Sequence, residues 1–248
     1  MSESGRIPAA LIRELRSARH VCVLTGAGIS AESGVPTFRD AQSGLWEKYD
    51  PLDLATPEAF RQDPALIWRW YRWRRELVAA AIPNAGHVAL ARLASFVPRL
   101  TLVTQNVDGL HQRAGSADVI EFHGNLFDDR CAADGCVVDC DSVAEVPVCP
   151  GCGSNVRPGV VWFGESIPET ALHHSFAAAA ECDVFLSIGT SSLVFPAAGL
   201  AEIANESGAT VAEINPNTTG MAAGFDYAIA GKSGTVLPEL VARLEARD

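Results

Sequence analysis

The sequence is short of basic charge. Its 248 residues carry 19 lysines and arginines against 30 acidic residues, a formal net charge of −11. A field of that sign repels phosphate backbones and anionic headgroups, so direct nucleic-acid and membrane binding are not expected. The chain also lacks an apolar run near the roughly 20 residues that span a bilayer. Its opening Met-Ser-Glu-Ser-Gly-Arg has no basic stretch leading into an apolar segment, so a secretory signal is not read and a cytoplasmic protein is expected. Internal repeats and low-complexity linkers are missing too. Hydrophobic residues are not scarce: they make up 48% against 20% charged, which excludes a disordered chain. The seven cysteines are an odd number, and five fall between Cys131 and Cys152. Without an export signal, that clustering points to metal before disulfide.

At about 150 residues per domain, the length allows between one and two domains. Short β-branched or apolar runs predict strands over 21–25, 100–104, 119–122, 160–163, 184–188, 210–214 and 227–230. Alanine- and leucine-rich stretches at 86–96, 169–180, 197–206 and 235–246 predict helices between them. Continuous apolar strands alternating with helices indicate an α/β fold, a Rossmann-like parallel sheet covered on both faces. Two stretches break the alternation: one carries a long aromatic helix, Pro64–Ala80, and the other is rich in Cys, Asp and Gly. The expected division is a sheet domain of 1–40, 86–125 and 159–248, with a smaller inserted lobe of 41–85 and 126–158.

After the first strand comes Gly26-Ala27-Gly28-Ile29-Ser30-Ala31, which fits G-x-G-x-x-G/A. Such glycines allow a tight turn and close backbone approach to a diphosphate, though a plain glycine turn reads the same way. A dehydrogenase would place an acidic residue about 20 positions on, ending a second strand. Glu47 is near that distance, but Leu45-Trp46-Glu47-Lys48-Tyr49 is not a strand pattern. The loop therefore suggests a dinucleotide without ordinary hydride transfer.

Further blocks follow: Gly34-Val35-Pro36-Thr37-Phe38-Arg39, Thr104-Gln105-Asn106-Val107-Asp108-Gly109-Leu110-His111, Phe122-His123-Gly124, Val160-Val161-Trp162-Phe163-Gly164-Glu165 and Gly189-Thr190-Ser191-Ser192. Together, and in this order over most of the chain, they resemble the sirtuins, the NAD-dependent protein-lysine deacylases. The resemblance implies NAD contacts from Gly26, Ala27, Gly28, Ser30, Glu32, Pro36, Thr37, Phe38, Arg39 and Trp46. It implies more from Gln105, Asn106 and Asp108, and from Gly189, Thr190, Ser191, Asn215 and Ser233. From the residues alone, Gln105 and Asn106 offer amide donors and acceptors at a strand end, and Asp108 equally suits a helix cap.

His123 ends a predicted strand, and imidazole suits proton removal at neutral pH. The resemblance makes it the general base, acting on a ribose hydroxyl, with nicotinamide, O-acyl-ADP-ribose and free lysine as products. His111 is read as structural or a pocket residue, and His173 and His174 as helix surface. Val161, Trp162, Phe163, Gly164 and Glu165 resemble the segment that pairs with an acylated peptide substrate by backbone hydrogen bonds, though a core strand reads the same.

Cys131-x4-Cys136 and Cys149-x2-Cys152 suit a closed tetrahedral zinc site, with Cys140 as an alternative to Cys136. Such a zinc would be structural. The family's first pair is usually Cys-x2-Cys, so the spacing departs from it. The aromatic helix holds Trp68, Trp70, Tyr71 and Trp73 with Arg69, Arg72, Arg74 and Arg75. By itself it reads as an amphipathic helix with a solvated arginine face. Tyr71-x-x-Arg74, with Ala55, is similar to the sirtuins that remove succinyl and malonyl groups. Guanidinium and phenol would grip the acyl carboxylate, with acetyl a weaker substrate. A monomer is expected. Two other classes stay open: a protein ADP-ribosyltransferase and a non-catalytic NAD-binding sensor.

Overall fold

The computed structural model describes residues 7–36, 49–140, 144–217, 219–220 and 224–246. Six parallel strands form one sheet: β1 (His20–Thr25), β2 (Arg99–Thr104), β3 (Ile120–Glu121), β6 (Val184–Ile188), β7 (Thr210–Asn215) and β8 (Tyr227–Ala230). Between β3 and β6 lies an antiparallel pair, β4 (Gly124–Cys131) and β5 (Val156–Val160). The main sheet runs β3-β2-β1-β6-β7-β8. With the inserted pair set aside, this is the doubly wound 3-2-1-4-5-6 order, whose direction reverses between β1 and β6. Ligands in such sheets bind at the carboxyl ends of the strands beside that reversal.

Strand alternation builds the two sides. Val21 and Val23 of β1 join a core under α1 (Ala9–Ser17), α6 (Ala85–Leu93) and α10 (Ser233–Glu245), with Leu11, Leu90 and Leu240. Cys22 and Leu24 join the opposite core under α8 (Glu169–Glu181) and α9 (Leu200–Glu206), with Phe185, Ala178 and Ala201. Every residue of β1 is buried, as a strand covered on both faces requires.

A third core unites the two strand-poor stretches. It joins α3 (Pro51–Leu54), α4 (Pro57–Gln62) and α5 (Pro64–Ala80) to the β4–β5 pair through Phe60, Trp68, Trp70, Leu126, Val156 and Trp162. Helix α5 starts sharply because the Asp63 side chain accepts the Leu66 amide at 2.8 Å and Pro64 needs no partner for its missing N–H.

The strand expected over 160–163 ends instead at Val160. The Val161 amide turns to the His123 carbonyl, and the Trp162 amide to the Glu165 carboxylate, both at 2.8 Å. The helix expected over 197–206 divides into a 3-10 turn, Ala197–Gly199, and α9.

Candidate active site

A cavity of about 1690 Å³ opens along the carboxyl edge of the sheet. Four strand ends supply part of its polar lining: Gly26 after β1, Gln105 and Asn106 after β2, Thr190 after β6 and Asn215 at the end of β7.

The glycine loop is locked to the loop after β6. Gly28 N donates to Gly189 O at 2.8 Å, and a Cβ on Gly28 would lie 2.7 Å from that oxygen. Gly189 has φ +59°, and its own Cβ would lie 2.6 Å from Ile29 N. Two backbones this close admit no side chain, which is a physical reason for glycine at both positions. The short helix α2 (Ala27–Ala31) carries Ala27, Gly28 and Ser30 into the cavity lining.

The amides and hydroxyls hold one another. Gln105 Nε2 donates to Thr190 Oγ1 at 2.9 Å, and Asn215 Nδ2 to Thr190 O at 2.8 Å. Asn106 Nδ2 reaches both Gly26 O, at 3.1 Å, and Ser30 Oγ, at 3.0 Å. Ser30 donates to Asp108 Oδ2 at 2.6 Å, while Asp108 Oδ1 caps Leu110 N at 2.9 Å, the start of α7 (Leu110–Arg113). The cap and the pocket contact thus come from one carboxylate. These polar groups and the glycine cradle fit a dinucleotide.

His123 lies half-buried at the same edge. Its Nδ1 meets the Gln105 carbonyl at 3.1 Å, and a carbonyl only accepts, so Nδ1 carries the proton. Nε2 is left with its lone pair. Burial lowers the His123 pKa below the ordinary 6.5, and the Gln105 bond acts against that. The ring is therefore neutral at pH 7.

Behind this wall lie two buried histidines, their rings 4.9 Å apart. His111 Nε2 sits 2.9 Å from Thr25 Oγ1, whose own proton goes to Thr104. Burial first, then the neighbouring His87, pushes the His111 pKa down to about 3. His87 Nδ1 accepts the Asn84 amide and so caps α6. No pattern in the sequence singles out His87. His173 and His174 are exposed on α8.

The cavity is also lined by Ala55, Tyr71, Arg74 and Val78. The Tyr71 hydroxyl accepts Trp162 Nε1–H at 2.8 Å, and burial raises its pKa to about 12, so it keeps a proton to donate. Burial lowers the Arg74 pKa, opposed by Tyr71 and Asp108. The guanidinium lies 5.0 Å from the Trp70 ring centre. Only Arg74 of the four helix arginines lines the cavity. Arg69 pairs with Glu145, Arg72 bonds the Ala144 and Glu145 carbonyls, and Arg75 bonds Leu126, Asp128 and Asp129. The solvated arginine face expected of this helix is thus largely a contact with the inserted ribbon.

Residues 161–165 line the cavity as a bent segment. Their amides are already engaged: Val161 with His123 O, Phe163 with Ala55 O, and Glu165 with Trp162 O. The Glu165 carboxylate takes Trp162 N and Arg157. Fewer donors face a peptide than an open strand edge would offer.

Glu32 and Ser233 stand apart from the cavity lining. Glu32 Oε1 accepts from Ser233 Oγ at 3.3 Å and Gly234 N at 3.0 Å, closing onto the start of α10. Ala27, Pro36 and Ser191 line the cavity; Thr37, Phe38, Arg39 and Trp46 lie outside the described residues. The sequence reading missed Leu193, Val194 and Phe195, which also line it, with Leu193 and Phe195 largely exposed. Their signal is three apolar residues running into a proline outside any helix or strand period.

The cysteines converge at the far end of the ribbon. Sulfurs of Cys131, Cys136 and Cys149 all lie within 4.8 Å of one another, and Cys152 Sγ is 3.4 Å from Cys131 Sγ. Tetrahedral zinc–thiolate bonds of about 2.3 Å would place sulfurs about 3.8 Å apart. Four thiols so placed fit a structural zinc. Gly135 (φ +73°) and Gly153 (φ +77°) turn the chain so that each pair points inward. Cys140 stays outside this group and packs against the lobe core. Cys22 and Cys182 are buried in the sheet domain.

Residues 26–196 match the Sir2 family model. A Pseudomonas aeruginosa protein named NAD-dependent protein deacylase 1 is 51% identical over 246 residues, covering 94% of this chain and 98% of its own. A Methylococcus capsulatus protein named NAD-dependent protein deacylase is 50% identical, covering 94% and 96%. A crystal structure of a Sir2 homologue in complex with NAD superposes with a TM-score of 0.90 at 41% identity, covering 99% of this chain and 96% of that one. One of Sir2 bound to an acetylated peptide gives 0.83 at 29%, covering 94% and 96%. By its sequence blocks, its sheet order and these relatives, the chain belongs to the Sir2 family.

Proposed function

We propose that this chain is an NAD-dependent protein-lysine deacylase that prefers acidic acyl groups, succinyl and malonyl, over acetyl. Deacylation itself is supported by relatives of that name covering nearly the whole chain. The acyl preference is carried by one observation: Tyr71 and Arg74 line the same cavity as His123. A guanidinium and a phenol in the pocket lining match a terminal carboxylate, which accepts charge-assisted hydrogen bonds from both. Acetyl brings no terminal carboxylate and gains no such charge-assisted bonds.

NAD, when bound, supplies the ribose to which the acyl group passes and is consumed. The glycine loop, Gln105, Asn215 and Thr190 hold it along the strand ends, and Asn106, Asp108 and Ser30 shape the inner pocket. His123 takes a proton at Nε2, since Gln105 O fixes the other nitrogen as donor. Ala55 leaves volume for an acyl chain longer than acetyl. The four-cysteine site holds zinc as a structural ion. Acylated proteins or peptides are the substrates, met in the cytoplasm by a monomer, and the charge of −11 disfavours nucleic acid.

The test is a panel of one peptide bearing succinyl, malonyl, glutaryl or acetyl lysine, assayed with NAD by mass spectrometry. The expected result is loss of the acyl mass, fastest for the acidic groups. Equal or faster acetyl removal sinks the preference. A gain of ADP-ribose mass on the target would assign ADP-ribosyl transfer instead, and NAD binding without nicotinamide release would assign a sensor.

A further inference from the structure

Arg75 follows Arg74 directly, yet turns to the β4–β5 ribbon rather than into the cavity. Successive helical side chains diverge by about 100°, so neighbours belong to different faces. Arg75 Nε donates to Leu126 O at 2.7 Å, and its Nη2 to Asp128 O at 3.1 Å and Asp129 Oδ1 at 2.7 Å. The ion pair is shielded, with side chains 21% and 13% exposed. The guanidinium also lies 5.2 Å from the Trp68 ring centre, and Trp68 Nε1 donates to Val156 O at 2.7 Å. Both strands of the ribbon are therefore gripped by one face of the helix that carries Tyr71 and Arg74.

We propose that Arg75 is a positioning residue for acyl recognition. It clamps α5 to the zinc ribbon and so sets the rotation and height at which Tyr71 and Arg74 enter the cavity. Arg75 itself is not among the cavity-lining residues. A rigid fork with three acceptors fixes a helix against both rolling and sliding, which a flexible point charge does not. Reading a carboxylate through directional hydrogen bonds is sensitive to small displacements of the receptor, whereas accepting an acetyl group needs mainly volume. The ribbon thereby acts as the reference surface for acyl reading, a role beyond holding its own lobe together.

The proposal rests on the acidic-acyl reading above, and the experiment separates the two. Wild type, Arg75→Lys and Arg75→Met are compared at equal zinc content, with KM and kcat for succinyl and acetyl forms of one peptide. In parallel the Trp162 indole N–H resonance is followed in ¹⁵N-labelled protein, because that proton is bonded to Tyr71. The expected outcome for Arg75→Met is a rise of about ten-fold in succinyl-peptide KM, with acetyl kinetics and NAD KM within about two-fold. Arg75→Lys falls between, and the indole resonance moves in both variants. Equal losses on both peptides, or unchanged kinetics with an unmoved indole, overturn the proposal. A wild type without succinyl preference refutes the acidic-acyl reading instead, and the indole resonance alone then decides for or against Arg75. If Arg75→Met does not fold, Arg75→Lys is judged by the same criteria.

Discussion

Trp162 donates its indole proton to the Tyr71 hydroxyl across 2.8 Å, tying the bent cavity segment to α5. The two rings stand 6.4 Å apart, and Phe60 packs against Trp162 at 5.3 Å. With one lone pair of the phenol already occupied, its own proton is free to serve a ligand.

Removing the proposed carboxylate receptor should separate the two substrates. Tyr71→Phe with Arg74→Met removes hydrogen bonds to charge, each about 1.5–3 kcal/mol, and should cut desuccinylation by at least about ten-fold. Deacetylation should stay within a few-fold. The check is kcat/KM on paired peptides; parallel losses would count against the assignment.

His123→Tyr should abolish turnover while NAD still binds, seen as an unchanged NAD titration beside a silent deacylation assay. In the wild type only neutral His123 can accept the proton. Its pKa is lowered from 6.5 by burial, so the acid limb of the pH–rate profile should lie below pH 6.5. A limb well above that value would contradict the geometry.

Acid should destabilise the fold through His111. The unfolded ring titrates near 6.5 and the folded one near 3. Above 6.5 both states are neutral and nothing is lost. Between the two values only the unfolded state takes up the proton, which costs about 1.4 kcal/mol of stability per pH unit. His111→Gln cannot be protonated, so its melting temperature should fall less than wild type between pH 7.5 and pH 5. Identical acid slopes would refute the role of this residue.

Zinc should follow the sulfur geometry. Cys136→Ser should lower bound zinc, measured by metal analysis, and lower the melting temperature of the lobe, whereas Cys140→Ser should leave zinc content unchanged. The reverse ranking would reassign the second ligand.

A methyl group should not fit between the loops that carry Gly28 and Gly189. Gly28→Ala places Cβ 2.7 Å from Gly189 O, against backbone that cannot swing away. NAD affinity and melting temperature should both fall, readable by calorimetry; wild-type values in both would show that the loops can part.

Much of the fold was legible because its signals are local. The apolar run of β1 and the glycines after it announce a buried strand and a tight turn within a dozen residues. The span of α5, Pro64–Ala80, was legible as a long aromatic helix, while the Asp63 cap that starts it is seen in the structure. The strand over 160–163 misled, because its apolar residues satisfy a period that Glu165 overrides by capturing the Trp162 amide. The arginine-rich helix was half legible: Tyr71 and Arg74 share a face by spacing, but the destinations of Arg69, Arg72 and Arg75 depend on a ribbon 51 to 76 residues away in sequence.

The sequence alone determined the α/β alternation, the order of the ligand loops, the cysteine pairs and the candidate base. These follow from short-range propensity and from residue chemistry that needs no partner to be recognised. Only the tertiary structure decided that Cys136 rather than Cys140 joins the sulfur cluster. It also decided that Gly28 faces Gly189, and that one arginine of four enters the cavity. Each of those outcomes is a distance between atoms far apart in the chain, and local periodicity carries no information about such distances.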